Sequence, residues 1–235
     1  MIKSNMNYKD KKVLIGIPSG SGFVPVPTVE SLMSLKFVCQ CGFAMTSRVR
    51  TDEARNHFAQ MAISQKVDYL LMIDDDNPVP VDTLEKMLED NKDIVIAPIL
   101  SRNPNKLGEH TLCAFYAREE IIDNRPIRLY YDIKEFRDKG NLHKIDAGGC
   151  GAILIKRQVL EELNKKYKGY IFEYGNINFS KEYSIDGRLI DKRTMSEDCE
   201  FSERAIKAGF EMWLDERIIP YHISNPRLVK YVKKD

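Results

Sequence analysis

The stretch Tyr69-Leu70-Leu71-Met72-Ile73-Asp74-Asp75-Asp76-Asn77-Pro78 limits what this chain can fold into more than any other. Five apolar residues lead directly into three carboxylates, and a proline closes the stretch. The apolar run predicts a buried strand, and Pro78 marks the end of the extended segment. Three adjacent acids at the mouth of a buried strand repel one another, and burial disfavours their charged form. A hard divalent cation relieves both costs, because it takes carboxylate oxygens and leaves coordination positions open to phosphates. Carboxyl ends of strands are also where open α/β sheets bind ligands. The plainer alternative is a solvated acidic turn.

The remainder of the chain predicts strands and helices in alternation. Lys11 to Pro18 reads as a first strand, followed by the flexible turn Ser19-Gly20-Ser21-Gly22. That turn lacks the Gly-Lys-Ser/Thr ending of a phosphate-binding P-loop and the third glycine of a dinucleotide fingerprint. Thr28 is expected to cap a helix that turns Val29, Leu32 and Met33 inward. A short strand is expected near Phe43 to Ser47. Thr51 is expected to cap a second helix, with Ala54, Phe58, Met61 and Ala62 on one face. Asp82 to Asp90 predicts a third helix and Asp93 to Pro98 a further buried strand. The order βαβαβαβ is that of a parallel sheet with helical crossovers. Thr111 to Tyr116 and Arg128 to Phe136 then read as strands without a helix between them, which predicts a smaller antiparallel part. Asp146 to Gly151 is a glycine-rich turn feeding a strand over 152–155, and Arg157 to Tyr167 is an amphipathic helix. The polar, aromatic segment Gly169 to Thr194 has no period, and its length predicts a functional loop. Its Tyr170, Phe172, Tyr174 and Tyr183 are candidates to stack on a sugar or base, and the segment as a whole is a candidate lid. Ser196 predicts a helix cap, Gly209 its end, and Phe210 to Leu214 the last strand, with Trp213 in the core.

Composition narrows the function classes. Lys+Arg 36 against Asp+Glu 35 gives a net charge of +1, so no global basic field favours nucleic acid. Neither a bilayer-spanning run nor a secretory leader is legible. Five cysteines, Cys39, Cys41, Cys113, Cys150 and Cys199, follow neither zinc spacing nor a disulfide framework. They fit thiols in a reducing cytoplasm, the expected location. No linker or repeat divides the 235 residues, so a single domain is expected, 1–235, with its core over 11–223.

Taken in order, these elements resemble the GT-A glycosyltransferases, family 2-like, which use nucleotide sugars. Asp74-x-Asp76 after an apolar strand resembles their DXD motif. The strand Val13 to Pro18 resembles their nucleotide-binding first strand, and Arg55-Asn56 their Ala-Arg-Asn element. The turn Asp146-Ala147-Gly148-Gly149 resembles the acceptor-side loop. Ser196-Glu197-Asp198, running to Gly209, is similar to the helix that carries their acidic general base. His222 sits where a late histidine often completes the metal site. The resemblance implies an α/β GT-A fold, with a mostly parallel central sheet flanked by helices and a small antiparallel part. It implies Mn2+ or Mg2+ held by Asp74, Asp76 and His222. The implied donor is a nucleoside-diphosphate sugar, UDP-linked first and GDP-linked second. Pro18, Ser19, Arg48, Arg55, Asp74, Asp75, Gly148 and Gly149 are implied as donor contacts. Asp198 would be the base that takes the proton of an acceptor hydroxyl, with inversion, and Glu197 its neighbour. The acceptor would be a glycan or another hydroxyl compound, with a nucleic-acid acceptor disfavoured. If Asp74 and Asp76 lie on a continuing strand they share a face. Two other classes stay open: a metal-dependent nucleotidyltransferase, and a non-catalytic sugar-nucleotide or glycan-binding module of the same fold.

Overall fold

The computed structural model describes residues 8–104, 107–122, 124–174, 183–185, 188–190, 196–224 and 227–230. The chain runs β1 (Lys12–Ile17), α1 (Val26–Ser34), β2 (Gln40–Met45), α2 (Thr51–Ser64), β3 (Tyr69–Ile73), α3 (Thr83–Asp90) and β4 (Ile94–Ile96). It continues with β5 (Ala114–Ile122), β6 (Arg125–Asp132), β7 (Leu142–Ile145), β8 (Ala147–Gly148), β9 (Ala152–Lys156) and α4 (Arg157–Tyr167). Then come β10 (Tyr183–Ile185), β11 (Arg188–Ile190), α5 (Glu197–Lys207), β12 (Met212–Asp215), β13 (Tyr221–Ser224) and β14 (Arg227–Lys230).

Seven strands form the central sheet in the order β2-β1-β3-β9-β4-β12-β7. Five of them run parallel, while β9 and β7 run against the rest. A separate antiparallel sheet holds β6, β5 and β8. The protein is thus an α/β fold with a mixed, mostly parallel central sheet flanked by helices and a small antiparallel sheet, as the resemblance implied. Strand alternation explains the two-sided core. Leu14, Leu70, Met72, Ile94, Ile153 and Ile155 face one layer, with Phe58 of α2, Leu160 of α4 and Phe201 of α5. Val13, Ile15, Leu71, Ile73, Val95 and Leu154 face the other, with Leu32 of α1 and Leu84, Met87 and Leu88 of α3. Gly16 permits α2 to lie close, since a Cβ there would come within 2.7 Å of the Phe58 ring.

Several expectations need correction. The helix α1 begins at Val26 with Pro25 before it, so Thr28 lies inside and is buried. Of its three apolar candidates only Leu32 is buried; Met33 is 80% exposed and Val29 is exposed. The cap position of α2 is Arg50, and Thr51 is the first helical residue. The strand expected near Phe43 to Ser47 starts earlier, at Gln40. Trp213 is half-buried with Lys92 3.9 Å above its ring, and it lies on β12, which is not the last strand. The strand over 152–155, here β9, sits in the middle of the sheet and runs antiparallel there. The loop ending at Thr194 lies partly outside the described residues, at 175–182, 186–187 and 191–194. All five cysteines are free thiols. Among the described residues no helix is long and apolar enough to cross a membrane.

Candidate functional site

The site lies where β1, β3 and β9 meet at one edge of the sheet. The strand β3 ends at Ile73, and the carboxylates occupy a turn closed by Asn77 N donating to Asp74 O at 3.1 Å. The alternation argument for Asp74 and Asp76 therefore does not apply, and the two side chains part. Because β9 runs against β3, its start lies beside the end of β3: Ala152 pairs with Ile73, and Asp74 N donates to Gly151 O at 2.9 Å. Gly151 has no room for a side chain, since a Cβ would stand 2.3 Å from Asn77 Oδ1. Asn77 in turn donates from Nδ2 to Tyr221 O at 3.1 Å.

Asp74 turns inward to Arg55. That guanidinium is 1% exposed and donates from Nη2 to both oxygens of Asp74, at 2.9 and 3.1 Å. Its Nη1 donates to Glu197 Oε1 at 2.8 Å and to Asp198 Oδ1. One cation thus joins the end of β3 to the first turn of α5, with three carboxylates on it. The first turn of α5 suits acids, because the helix dipole is positive there, and Ser196 Oγ accepts from Cys199 N. Burial pushes Asp74 up to about 7, with Arg55 pulling the other way and Asp198 and Asp76 adding to the rise. Burial and then Asp198 raise Glu197 and hold the buried Cys150 thiol well above its usual range. The Asp198 side chain keeps 23% exposure against 8% for Glu197, so Asp198 is the more accessible of the pair.

Asp76 faces His222. His222 Nε2 lies 3.4 Å from Asp76 Oδ2, and His222 Nδ1 lies 2.6 Å from Leu100 O. A carbonyl can only accept, so Nδ1 carries the proton and, in the neutral ring, Nε2 presents a lone pair beside the carboxylate. The backbone fixes this pairing, since Tyr221 N donates to Pro78 O and Ile223 N to Asp76 O, both at 2.8 Å. Burial alone would lower His222, but Asp76 and the Leu100 carbonyl raise it. Burial would raise Asp76, but His222 and Arg102 hold it below the usual carboxylate range. Burial raises Asp75 against a hydrogen bond with Ser19.

A cavity of about 880 Å³ opens on this edge, lined among others by Pro18, Ser21, Thr51, Asp75, Asp76 and Arg102. Asp74 also reaches it. Other expected contacts lie elsewhere. Arg48 is exposed beside Gly22, and Arg50 pairs with Asp52 and lies over the Tyr174 ring at 5.5 Å. The two arginines expected on the donor, Arg48 and Arg55, therefore do not converge. Ser19 is buried and braces its own turn, accepting from Gly22 N at 3.1 Å. Gly148 packs under Ile96, and Gly149 N donates to Cys113 O at 2.7 Å. Phe172 is buried and stacked on Phe201, with Asn56 clamping its peptide at 2.6 and 2.8 Å. Arg102 and Cys150 were not among the sequence candidates. A basic residue soon after an apolar strand end was the available sign for Arg102.

Among the described residues no three His, Cys, Asp or Glu side chains converge to hold a metal ion. Asp76 and the Nε2 lone pair of His222 are two hard-to-intermediate donors, and an octahedral ion with ligands near 2.1 Å separates adjacent donors by roughly 3 Å. The 3.4 Å separation of the pair fits that requirement, with Arg102 on the same Asp76 oxygen, and Asp74 is turned to Arg55 instead.

No protein-family model and no curated protein matches the sequence. Among solved structures the fold is similar to A197 from STIV, with a TM-score of 0.51 and 16% identity over 95% of each chain. It is less similar to apo UDP-glucose pyrophosphorylase, at 0.42 and 8% identity, covering 94% of this chain and 92% of that one. The same enzyme complexed with UDP-glucose scores 0.44 at 8% identity, with the same coverage. At these identities the likeness is one of fold.

Proposed function

We propose that this protein is a cation-dependent transferase of sugar nucleotides, and that it moves the sugar of a nucleoside-diphosphate sugar to an acceptor hydroxyl. The observation that carries the reading is the Asp76–His222 pair, 3.4 Å apart, whose Asp76 lines the cavity of about 880 Å³. A divalent ion held by these two would supply Lewis-acid stabilisation of the charge that grows on the leaving diphosphate. The chain's own residues do the rest. The backbone of 76–78 and Leu100 O hold the imidazole in its metal-ready tautomer. Asp198, the more exposed acid of its pair, takes the acceptor proton, and Arg55 fixes its orientation. Glu197, held by Arg55, positions that turn and does not itself meet the acceptor.

Nucleotidyl transfer is the second reading, and on fold grounds it has equal standing. A pyrophosphorylase is among the similar structures, one of them complexed with UDP-glucose. The same cavity and cation pair would serve attack at the α-phosphorus. One experiment separates the readings and tests their shared base. The protein is incubated with manganese and UDP-glucose, with and without pyrophosphate, and products are resolved by ion-exchange chromatography. Release of UDP supports sugar transfer; pyrophosphate-dependent formation of UTP supports nucleotidyl transfer. Equal UDP affinity in manganese and in chelator, or an Asp76→Ala variant that binds as the wild type does, refutes the cation-dependent reading.

A further inference from the structure

A guanidinium and an imidazole face one carboxylate oxygen at the mouth of the cavity. Asp76 Oδ2 faces His222 Nε2 at 3.4 Å and is also the atom that Arg102 Nη2 contacts. The partners differ in exposure. The Asp76 side chain is largely buried, whereas that of Arg102 is 61% exposed. The loop that carries Arg102 leaves the body through a zipped stem. Cys113 N donates to Ile99 O at 2.8 Å, Ser101 N to Thr111 O at 2.7 Å, and Thr111 N to Ser101 Oγ at 3.0 Å. Arg102 is the first residue beyond this stem, and Leu100, which orients His222, lies within it. One strap therefore sets the imidazole rigidly and presents the guanidinium on an exposed arm.

We propose that Arg102 is a movable counter-ion: it neutralises Asp76 when no divalent ion is present, and turns to the diphosphate when an ion takes Asp76 and His222. The inference rests on the sugar-nucleotide reading above. The oxygen facing His222 cannot serve a guanidinium and a metal ion along the same lone pair, and the two cations repel. The guanidinium end of the pair is solvated, and an incoming divalent ion takes its place on the buried carboxylate, so the arm yields at little cost. Arg102 lines the same cavity as Thr51 and Ser21, and a guanidinium fork matches phosphate oxygens, which gives the displaced arm a destination.

The test is Arg102→Met, with Arg102→Lys beside it, on the full chain. Manganese binding without nucleotide is read by electron paramagnetic resonance of the free ion, and UDP binding at saturating manganese by calorimetry. Arg102→Met should bind manganese alone about 2- to 5-fold more tightly, since a competitor worth a surface ion pair is gone. It should bind UDP with manganese about 10-fold more weakly, because a charge-assisted contact to phosphate is lost. Arg102→Lys should restore the manganese competition while recovering only part of the UDP affinity. An Arg102→Met variant that binds manganese no more tightly, or that keeps wild-type UDP affinity, overturns the proposal while leaving the sugar-nucleotide reading intact. A wild type that binds neither manganese nor UDP overturns both.

Discussion

Asp90 is held in a place that penalises its charge, and replacing it with asparagine should stabilise the protein at alkaline pH. It is the last residue of α3, the negative end of that helix dipole. Arg217 reaches Asp90 Oδ1 at 2.5 Å but grips Asp215 more fully, with Nε 3.0 Å from both oxygens and Nη2 2.8 Å from Oδ2. Asp90 Oδ2 is buried without a hydrogen-bond donor, within reach of the Asp215 carboxylate. Burial, and then Asp215, push Asp90 up to about 7 from an ordinary 3.8. A carboxyl raised in this way binds its proton in the folded state while the unfolded chain has released it. Stability therefore falls as pH rises between about 4 and 7, and above that window the loss is complete. At about 1.36 kcal/mol per pH unit, a window of that width costs roughly 4 kcal/mol as a ceiling, and about two-thirds of it lies above pH 5. In Asp90→Asn, Oδ1 still accepts from Arg217, while Nδ2 can donate to Asp215. The advantage of Asp90→Asn over wild type should grow by about 2–3 kcal/mol between pH 5 and pH 8. Urea denaturation at both values, with unchanged slopes, measures it. A difference that is the same at pH 5 and pH 8, or that favours wild type more at pH 8, refutes the reasoning.

Three further outcomes are expected. Arg55→Met leaves three carboxylates around an apolar side chain and should cost about 3–5 kcal/mol, seen as a large drop in melting temperature; a shift of a degree or two would mean the cluster is not what ties β3 to α5. Asp198→Asn should lower turnover by about 10²–10⁴-fold with UDP binding kept, and Glu197→Gln should lower it less; the reverse order, measured as UDP release, would assign the base to Glu197. Gly151→Ala should displace Asn77 from Tyr221 O and cost about 1–3 kcal/mol, with weaker manganese binding as β13 loosens; unchanged manganese affinity would show that Asn77 does not set the His222 strand.

The sequence carried the strands that end in chemistry and the helices that begin in it. The apolar run over 69–73 and the Ser196 cap of α5 are local signals, written in a few consecutive side chains, and the structure keeps both. What lay beyond reach was pairing. Ala152 to Ile155 reads as a buried strand whichever neighbours it has, so its reversed place between β3 and β4 has no local mark. The partner of Asp74 is equally non-local: Arg55 stands 19 residues before it and Asp198 lies 143 residues after Arg55. The turn at Asp75 and Asp76 hid the divergence of Asp74 from Asp76, because an Asp triplet is compatible with a strand or a turn. Met33 and Val29 misled for a different reason: helical period names an apolar face, but α1 buries only Leu32 and Thr28.

The reversed strand β9 also dictates an order of assembly. The strands β2 and β3 both pair with β1, using the first 73 residues alone. By contrast β4 has two neighbours in the sheet, β9 and β12, and both lie more than fifty residues further along the chain. As the chain emerges, Ile94–Ile96 must wait with both edges unpaired until residues 152–156 insert, and closing so long a loop is slow compared with local pairing. The late arrival is the same segment that brings Gly151 against Asn77. Asp74 can therefore meet Arg55 as soon as α2 and β3 exist, whereas Asp76 gains His222 only after β9 has been stitched into the middle of the sheet and residue 222 has followed it.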